Sequence, residues 1–228
     1  MRTNQDDAAT GPGTFTQLKR RDQLADCAID AIVELGFQGT SVAEVARRAG
    51  VSKGVVTYHF PAKDDLIFAV AAHIFDSMTE FLDPGGQEVA PETFVAAYIT
   101  AWAEYYRTHM RYMLAIAEIW ANFRDKTGQR HFGPATQARE LAEVEHYLKL
   151  GQASGHLGDF SARVMAVSMK SALDALCAQL VADPDLDLDA YGAELVALFE
   201  RATRPDPDPS RHGTAPPIGP ARSGKDQG

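Results

Sequence analysis

Ten residues between positions 40 and 63 combine hydrogen-bonding or cationic side chains with small ones that allow a close approach. They are Thr40, Ser41, Ser52, Lys53, Gly54, Val55, Thr57, Tyr58, His59 and Lys63. Hydroxyl, imidazole and ammonium groups of this kind bind phosphate oxygens and the polar atoms on base edges. The set is therefore suited to holding a DNA duplex rather than to making or breaking bonds.

Two short helical patterns that meet at a glycine would position these groups. Ser41 and Glu44 have capping-box spacing, in which the serine hydroxyl accepts from the N–H of Glu44 and the carboxylate reaches back to the N–H of Ser41. Gly50 then ends the first helix, because glycine adopts the left-handed conformation that turns the chain sharply. Ser52 is a suitable N-cap for the next helix. This arrangement predicts a helix-turn-helix whose second helix reads the major groove with its N-terminal end.

The residues around this pair predict a small three-helix unit. A first helix is expected from Phe15 to Leu35, with Gly36 as its stop and Phe37 filling the small core. Pro61 suits the first turn of the helix that follows the pair. Lys63 would lie beside backbone N–H groups that can hold a phosphate, so we expect it to anchor DNA rather than to read its sequence.

The stretch from Ser52 to Lys63 resembles the N-terminal domain of the tetracycline-repressor (TetR) family. The resemblance is carried by Ser52-Lys53-Gly54, by Tyr58-His59-Phe60 after a hydrophobic residue, and by Lys63 three residues on. It covers residues 15–80 closely and the remainder only in layout. It implies an all-α protein of about nine helices, with an N-terminal helix-turn-helix domain and a C-terminal helical domain for ligand binding and dimerisation. Val55 and Thr57 stand where many relatives carry a hydroxyl and a tyrosine.

The distribution of charge reconciles an acidic chain with a nucleic-acid partner. The net charge is −9, whereas binding to phosphates requires cations. Residues 15–63 contain seven Lys and Arg against five Asp and Glu, so their sum is 7 − 5 = +2 and the other residues sum to −9 − 2 = −11. The basic groups lie in the segment expected to meet DNA, although Arg47 and Arg48 are each expected to be solvated surface.

Changes in composition along the 228 residues predict the domain organisation. Residues 1–14 are expected to form a disordered arm, residues 15–63 the DNA-binding domain and residues 64–82 a connecting helix. Residues 92–203 are expected to form the effector-binding and dimerisation domain. Residues 204–228 hold six of the twelve prolines, which predicts a disordered tail because no apolar set there offsets the entropy of ordering.

Two features of the C-terminal part predict its partners. The helices near 161–181 and 190–202 carry more apolar surface than contact with their own domain needs, so we expect a homodimer built as a four-helix bundle. The alternative is ordinary intrachain core. An aromatic-rich stretch is also suited to an apolar or aromatic small-molecule effector, although plain core packing would explain it too. The candidate ligand-binding residues are Trp102, Tyr106, Met113, Trp120 and Met169.

Other function classes find little support in the sequence. We find neither a nucleophile elbow nor a phosphate-binding glycine loop, and the seven histidines do not have metal-ligand spacing, so we expect no enzyme, cofactor or metal. No apolar run approaches about 20 residues and no export pattern is present, so we expect a cytoplasmic protein without a membrane span. The preferred interpretation is a ligand-responsive repressor that binds a palindromic operator. The alternative is a helical small-molecule binding protein with a non-functional DNA-binding module.

Overall fold

The computed structural model describes residues 12–82, 89–125, 127–130, 132 and 137–206. Over these ranges the protein has eight α-helices and no β-strand, which confirms the predicted all-α class. The helices are α1 (Pro12–Gly39), α2 (Val42–Arg48), α3 (Lys53–His59), α4 (Lys63–Leu82), α5 (Phe94–Asn122), α6 (Ala138–Ala153), α7 (Ala162–Ala182) and α8 (Leu188–Thr203). A ninth helix has no counterpart in the described ranges.

Helix α1 packs its apolar side against α2, α4 and α5. Its helical geometry breaks at Gly36, the predicted stop, where φ is 71°. The buried side includes Leu24 and Ile32, whereas Leu18 and Val33 are exposed. Helix α1 begins at Pro12, and the rest of the predicted arm, residues 1–11, lies outside the described residues.

Helix α5 is the longest helix and contacts elements from both ends of the chain. It packs against α1 and α4 on one side and against α7 and α8 on the other. Its apolar residues belong to one buried cluster that also contains the core of α1–α3. At His109 the backbone leaves helical geometry, with φ −126° and ψ 28°, so α5 consists of two segments joined by a kink.

The last three helices have local features that fix their ends. The Ser161 hydroxyl caps α7 and the Asp187 carboxylate caps α8, each accepting a backbone N–H three residues on. Gly158 lies against the end of α8, where an added Cβ would be 2.6 Å from the carbonyl oxygen of Arg204. A side chain there would push the α6–α7 turn away from α8. Of the predicted tail, residues 207–228 lie outside the described residues.

Helix α7 corrects one expectation from the sequence. With 21 residues it is long and apolar enough, by length and composition, to cross a membrane, so the statement that no segment approaches that length was wrong. Core helices of soluble proteins pass the same test. Helix α7 packs against α5 and α6, and its buried residues include a lysine, Lys170. The length of α7 is therefore weak support for a membrane span.

Candidate functional site

The predicted helix-turn-helix is formed by α2, the turn at Gly50, and α3. The Ser41 hydroxyl accepts a hydrogen bond from the N–H of Glu44 at 3.2 Å, which confirms half of the predicted capping box. The other half is wrong, because the Glu44 carboxylate bonds to Arg47 and Arg48 instead. Gly50 has φ 65°, so the turn adopts the left-handed conformation that a side chain would strain.

Packing fixes the orientation of α3. Val56 is completely buried and belongs to the same apolar cluster as Val45 and Ala46 of α2. Ser52 occupies the N-cap position of α3 as predicted, but its side chain makes no capping hydrogen bond. Because Ser52 is exposed, its hydroxyl faces outwards at the N-terminal end of α3.

An arginine of α1 holds the other end of α3. Arg21 donates from Nη1 to the carbonyl oxygen of His59 at 2.9 Å, and its guanidinium lies 4.6 Å from the centre of the Phe60 ring. Sequence reasoning missed this role, because a single arginine in a polar helix gives no sign of a partner 38 residues away. Arg21 is therefore a positioning residue for α3.

The free side of α3 presents most of the predicted DNA-binding residues to solvent. Ser52, Lys53, Gly54 and Tyr58 are exposed, with Tyr58 73% accessible, and Val55 is partly exposed. A Cβ added at Gly54 would meet only the Ser52 hydroxyl at 3.6 Å, an ordinary contact, so internal packing does not require a glycine there. The missing side chain instead leaves room for a partner to approach the backbone closely.

Three of the predicted DNA-binding residues use their polar groups for hydrogen bonds within the protein. Thr40 is buried and donates its hydroxyl to the Gly36 carbonyl at 3.0 Å, a placement that speaks against a side-chain contact with DNA. The Thr57 hydroxyl points back to carbonyls of its own helix. Lys63 donates to the carbonyl oxygen of Phe37 at 3.0 Å and lies over that ring, so it ties the start of α4 to the end of α1. Burial lowers the pKa of Lys63.

The acidic groups nearest the helix-turn-helix are paired with arginines. Arg48 bridges Glu44 of α2 to Glu34 of α1, and it is largely buried rather than solvated as expected, whereas Arg47 is exposed. Hydrogen bonds from Arg47 and Arg48 lower the pKa of Glu44 to about 2. Partial burial, together with nearby Arg21, lowers the pKa of His59.

A family-wide sequence profile, described as bacterial regulatory proteins of the tetR family, matches residues 24–70. The match runs from α1 into α4 and contains the whole helix-turn-helix. Residues 24–70 thus form a TetR-family domain. This confirms the resemblance predicted from Ser52-Lys53-Gly54 and the residues that follow it.

Curated relatives match this chain over a short stretch. The HTH-type transcriptional regulator BetI of Klebsiella pneumoniae (strain 342) is 39% identical over 61 residues, which are 27% of this chain and 31% of that protein. The chain therefore spans about a third of the length of the curated relatives that it matches. These relatives are regulators rather than enzymes, in agreement with the sequence interpretation.

Similarity to solved structures extends through the C-terminal domain. A TetR-family transcriptional regulator from Rhodococcus sp. superimposes with a TM-score of 0.67 at 21% identity, covering 82% of this chain and 99% of that one. The ketosteroid transcriptional regulator KstR2 of Mycobacterium tuberculosis gives 0.64 at 15% identity, covering 82% and 96%. At these identities the likeness shows a shared fold.

The five predicted ligand-binding residues do not form one compact set. Trp102, Tyr106, Met113 and Trp120 follow one another at intervals of four and seven residues, which places them along one side of α5. At a rise of about 1.5 Å per residue, Trp102 and Trp120 are roughly 27 Å apart along the helix. Met169 is completely buried in α7. A ligand of ordinary size would reach only part of this set.

Trp102 and Tyr106 form the end of this stripe that lies farthest from α1–α3. Their ring centres are 6.0 Å apart. Trp102 Nε1, Tyr106 Oη and Trp120 Nε1 are buried without a hydrogen-bond partner within the described residues. The Trp102 N–H is near enough to the Tyr98 hydroxyl to influence the pKa of Tyr98, but not at hydrogen-bonding geometry. A buried polar group without a partner costs about 1–3 kcal/mol, so two such groups side by side are unusual.

Charged side chains line the same region, which we call the buried polar cluster: Tyr98, Trp102, Tyr106, Glu140, Lys170 and Asp174. Lys170 is only 5% exposed, forms an ion pair with Asp174 and lies 4.7 Å from the centre of the Trp102 ring. The Tyr98 hydroxyl donates to Glu140 at 2.8 Å. Burial raises the pKa of Glu140. Sequence reasoning missed these charges, although a lysine in the apolar sequence of α7 was an available signal.

A polar network, the interdomain clasp, joins α5 to the DNA-binding domain. Arg111 donates to Asp30 at 2.8 Å and to Asp26 at 2.7 Å, both on α1. The Tyr112 hydroxyl donates to Asp26 at 3.1 Å, and His73 of α4 lies 3.2 Å from the same hydroxyl. The clasp was not predicted, because its partners are more than 80 residues apart.

A second contact joins the same two parts farther along α5. The Glu118 carboxylate accepts hydrogen bonds from the backbone N–H of Phe37 at 3.3 Å and from Asn122 at 3.0 Å. Phe37 also accepts from Lys63. The loop between α1 and α2 is thus held by α4 and α5 together, next to the helix-turn-helix.

Proposed function

We propose that this protein is a ligand-responsive transcriptional repressor that binds a palindromic DNA operator as a homodimer and is released by a small-molecule effector. The observation that carries the proposal is the outward face of α3, where Ser52, Lys53, Gly54 and Tyr58 are exposed while Val56 fixes the helix from behind. A helix held in this way can enter the major groove by its N-terminal end. The TetR family match over residues 24–70 supports the same role.

The homodimer is proposed through the outward side of α7 together with α8. Val164, Val167 and Val181 of α7 and Leu198 of α8 are exposed apolar residues. Leu195 and Phe199 of α8 are buried in the chain's own core. The interface therefore rests on α7 more than on α8. The two α3 helices of a dimer would bind half-sites about one turn of the DNA helix apart, roughly 34–36 Å. Together they would supply the sequence specificity that one short helix lacks.

Helix α5 is the proposed route from effector to DNA. It carries the candidate ligand-binding residues along one side, and it also carries Arg111 and Glu118, which bond to the DNA-binding domain. An effector that binds the DNA-released geometry better than the DNA-bound one shifts the equilibrium between them. A coupling of about 1–3 kcal/mol would weaken DNA binding roughly 5 to 150-fold.

The protein is proposed to act in the cytoplasm, where its DNA partner is found. The alternative function, a small-molecule binding protein whose DNA-binding module is non-functional, is not favoured. The turn at Gly50, the packing of Val56 and the exposed Lys53 keep the features that a reading helix needs.

The first test is selection of duplexes from a random pool by the purified full-length protein at low ionic strength. We expect a two-fold symmetric sequence whose half-sites are about one helical turn, or a multiple of it, apart. The combined Lys53→Ala and Tyr58→Ala variant should bind the selected duplex about 10 to 100-fold more weakly, because two exposed side chains of α3 are removed while Val56 still holds the helix in place. An absence of enrichment with the unmodified protein would favour the alternative function.

Sedimentation tests the proposed assembly separately. The combined Val164→Glu and Val167→Glu variant should sediment as a monomer, because four like charges would face one another across the symmetric interface. Leu150→Glu is the matched control, since Leu150 is also an exposed apolar residue but lies on α6. A dimer that survives the α7 changes and dissociates with Leu150→Glu would place the interface elsewhere.

A further inference from the structure

The buried polar cluster leaves two hydrogen-bond donors without an acceptor. Tyr106 is completely buried and Trp102 is 3% exposed, yet neither the Tyr106 hydroxyl nor the Trp102 N–H has a partner within the described residues. Folded proteins pair nearly all such groups, so an unpaired pair at one place requires an explanation. The two rings are neighbours on adjacent turns of α5, with centres 6.0 Å apart.

The charges around these donors are already balanced. The Lys170 ammonium is neutralised by Asp174 and covers the face of Trp102. Glu140 accepts the Tyr98 hydroxyl, and burial raises the pKa of Glu140. An anionic ligand would meet two carboxyl groups beside a lysine that is already paired, and a cationic ligand would compete with Lys170 for the face of Trp102.

We propose that the effector is an uncharged molecule with an apolar body and a carbonyl-type acceptor oxygen, bound between α5 and α7 where Tyr106 and Trp102 both donate to that oxygen. This inference rests on the proposed function and narrows it to a chemical class. The surrounding apolar and aromatic residues, including Met169, would enclose the body of the molecule. A pure hydrocarbon would fill the same space but would leave both donors unpaired.

Trp120 does not belong to this site. It lies roughly 21 Å from Tyr106 along α5, at about 1.5 Å per residue. The chain has only two tryptophans, so each single-tryptophan variant reports on one location. Trp120→Phe leaves Trp102 as the reporter inside the proposed site, and Trp102→Phe leaves Trp120 as the reporter outside it.

The test uses four probes of nearly identical shape: benzylacetone, its hydrocarbon isostere isopentylbenzene, the carboxylate hydrocinnamate and the ammonium phenylbutan-2-amine. Calorimetric titration of the full-length protein should give benzylacetone an affinity about tenfold above each of the others, as expected for one well-placed hydrogen bond. Benzylacetone should shift the emission of the Trp120→Phe protein, in which Trp102 is the remaining tryptophan.

Tyr106→Phe should remove the preference for the ketone. The affinity for benzylacetone should fall about five- to tenfold while the affinity for isopentylbenzene stays the same. Tyr105→Phe is the matched control, because Tyr105 is equally buried but its hydroxyl already bonds to Ser77. Thermal unfolding of each variant checks that the fold is retained.

Several outcomes would overturn the proposal. They are tighter binding of the ammonium or the carboxylate, ketone affinity unchanged by Tyr106→Phe, and no binding of benzylacetone up to its solubility limit. The proposed function is tested separately by duplex selection in the absence of any probe, and it fails if no sequence is enriched. A protein that selects a palindrome but prefers a charged probe remains a regulator with an effector of another class.

Discussion

The helix-turn-helix region and the C-terminal domain differ in where their polar side chains lie. In the helix-turn-helix region, Glu34 and Glu44 bond to arginines, and Ser52, Lys53 and Tyr58 face outwards. In the C-terminal domain, the buried donors of Tyr106 and Trp102 have no partner within the described residues. The first region thus has polar groups exposed on its surface, whereas the second encloses them in its interior.

Sequence similarity follows the same division. The family profile ends at residue 70, whereas the solved TetR-family structures match the fold over about four fifths of the chain. The N-terminal domain shares residue types with the family, whereas the C-terminal domain shares the helical layout.

The largest expected effect tests the outward face. Replacing both Lys53 and Tyr58 by Ala should weaken binding of the selected duplex by about 10 to 100-fold. The slope of the logarithm of the binding constant against the logarithm of the salt concentration should fall by about two, because each protomer of the dimer loses one phosphate contact. Arg47→Ala is the control, because Arg47 is exposed but engaged with Glu44. Equal losses from Arg47→Ala in a salt titration would mean that α2, not α3, supplies the main contacts.

The second prediction tests the buried donors through stability. Tyr106→Phe removes an unpaired hydroxyl, so the free energy of unfolding should rise by about 1 kcal/mol. Tyr105→Phe loses the bond to Ser77 and should lower it by about 0.5–1.5 kcal/mol. Denaturant unfolding of both variants without ligand measures whether each change raises or lowers the free energy of unfolding. If Tyr106→Phe were the more destabilising change, the Tyr106 hydroxyl would have a partner in solution and the contrast between the two regions would fail.

A smaller effect is expected where the two regions meet. Arg111→Ala removes ion pairs to Asp26 and Asp30 that are partly exposed, so it should destabilise the domain contact by only about 0.5–1 kcal/mol. Amide hydrogen exchange in α1 should accelerate about two- to fivefold, and high salt should reduce the difference. Arg107→Ala is the control, since Arg107 pairs with Glu104 on α5 itself. Unchanged exchange in α1 would show that apolar packing alone joins the domains.

The smallest effect compares two carboxyl groups by pH. The pKa of Glu140 is raised above its ordinary value of 4.5, so its contribution to stability is present below 4.5 and is lost as the pH rises through the folded-state pKa. The pKa of Glu44 is about 2, so its contribution is present above 4.5 and is lost as the pH falls towards 2.

Two glutamine variants measure these contributions. In unfolding experiments from pH 3 to pH 7, Glu140→Gln should be stabilising near pH 7 and Glu44→Gln destabilising, and both differences should shrink on acidification. Differences of the same sign at pH 7 would contradict the assigned causes, which are burial for Glu140 and arginine partners for Glu44.

Local chemistry made the reading region predictable from sequence. Ser41 and Gly50 act within a few residues of themselves, so the cap of α2 and the left-handed turn could be predicted from spacing. The second half of the capping box was wrong because Arg47 and Arg48 are stronger partners for Glu44 than a backbone N–H. Lys63 and Thr40 were placed by contacts with the α1–α2 loop, which spacing does not report.

Long-range pairing limited the prediction of the C-terminal domain. The aromatic content of α5 indicated a ligand region, but periodicity alone could not divide the stripe into the Trp102 end and the Trp120 end. Lys170 forms its ion pair with Asp174 on the same helix, but its contact with Trp102 and the bond from Tyr98 to Glu140 join different helices, so only the packed structure brings these groups together. Leu195 and Phe199 of α8 are buried within the chain, and periodicity alone does not distinguish such residues from a dimer face.

A change in the bend at His109 would rotate the second half of α5 relative to the first half. Glu118 lies nine residues beyond it, or about 14 Å at 1.5 Å per residue. A change of about 10° in the bend would therefore displace Glu118 by roughly 2.4 Å, as follows from that arm. The hydrogen bond from the Phe37 N–H to the Glu118 carboxylate is already long at 3.3 Å, so a further displacement of this size would break it. A small opening beside Tyr106 would thus be amplified before it reached the loop that precedes α2.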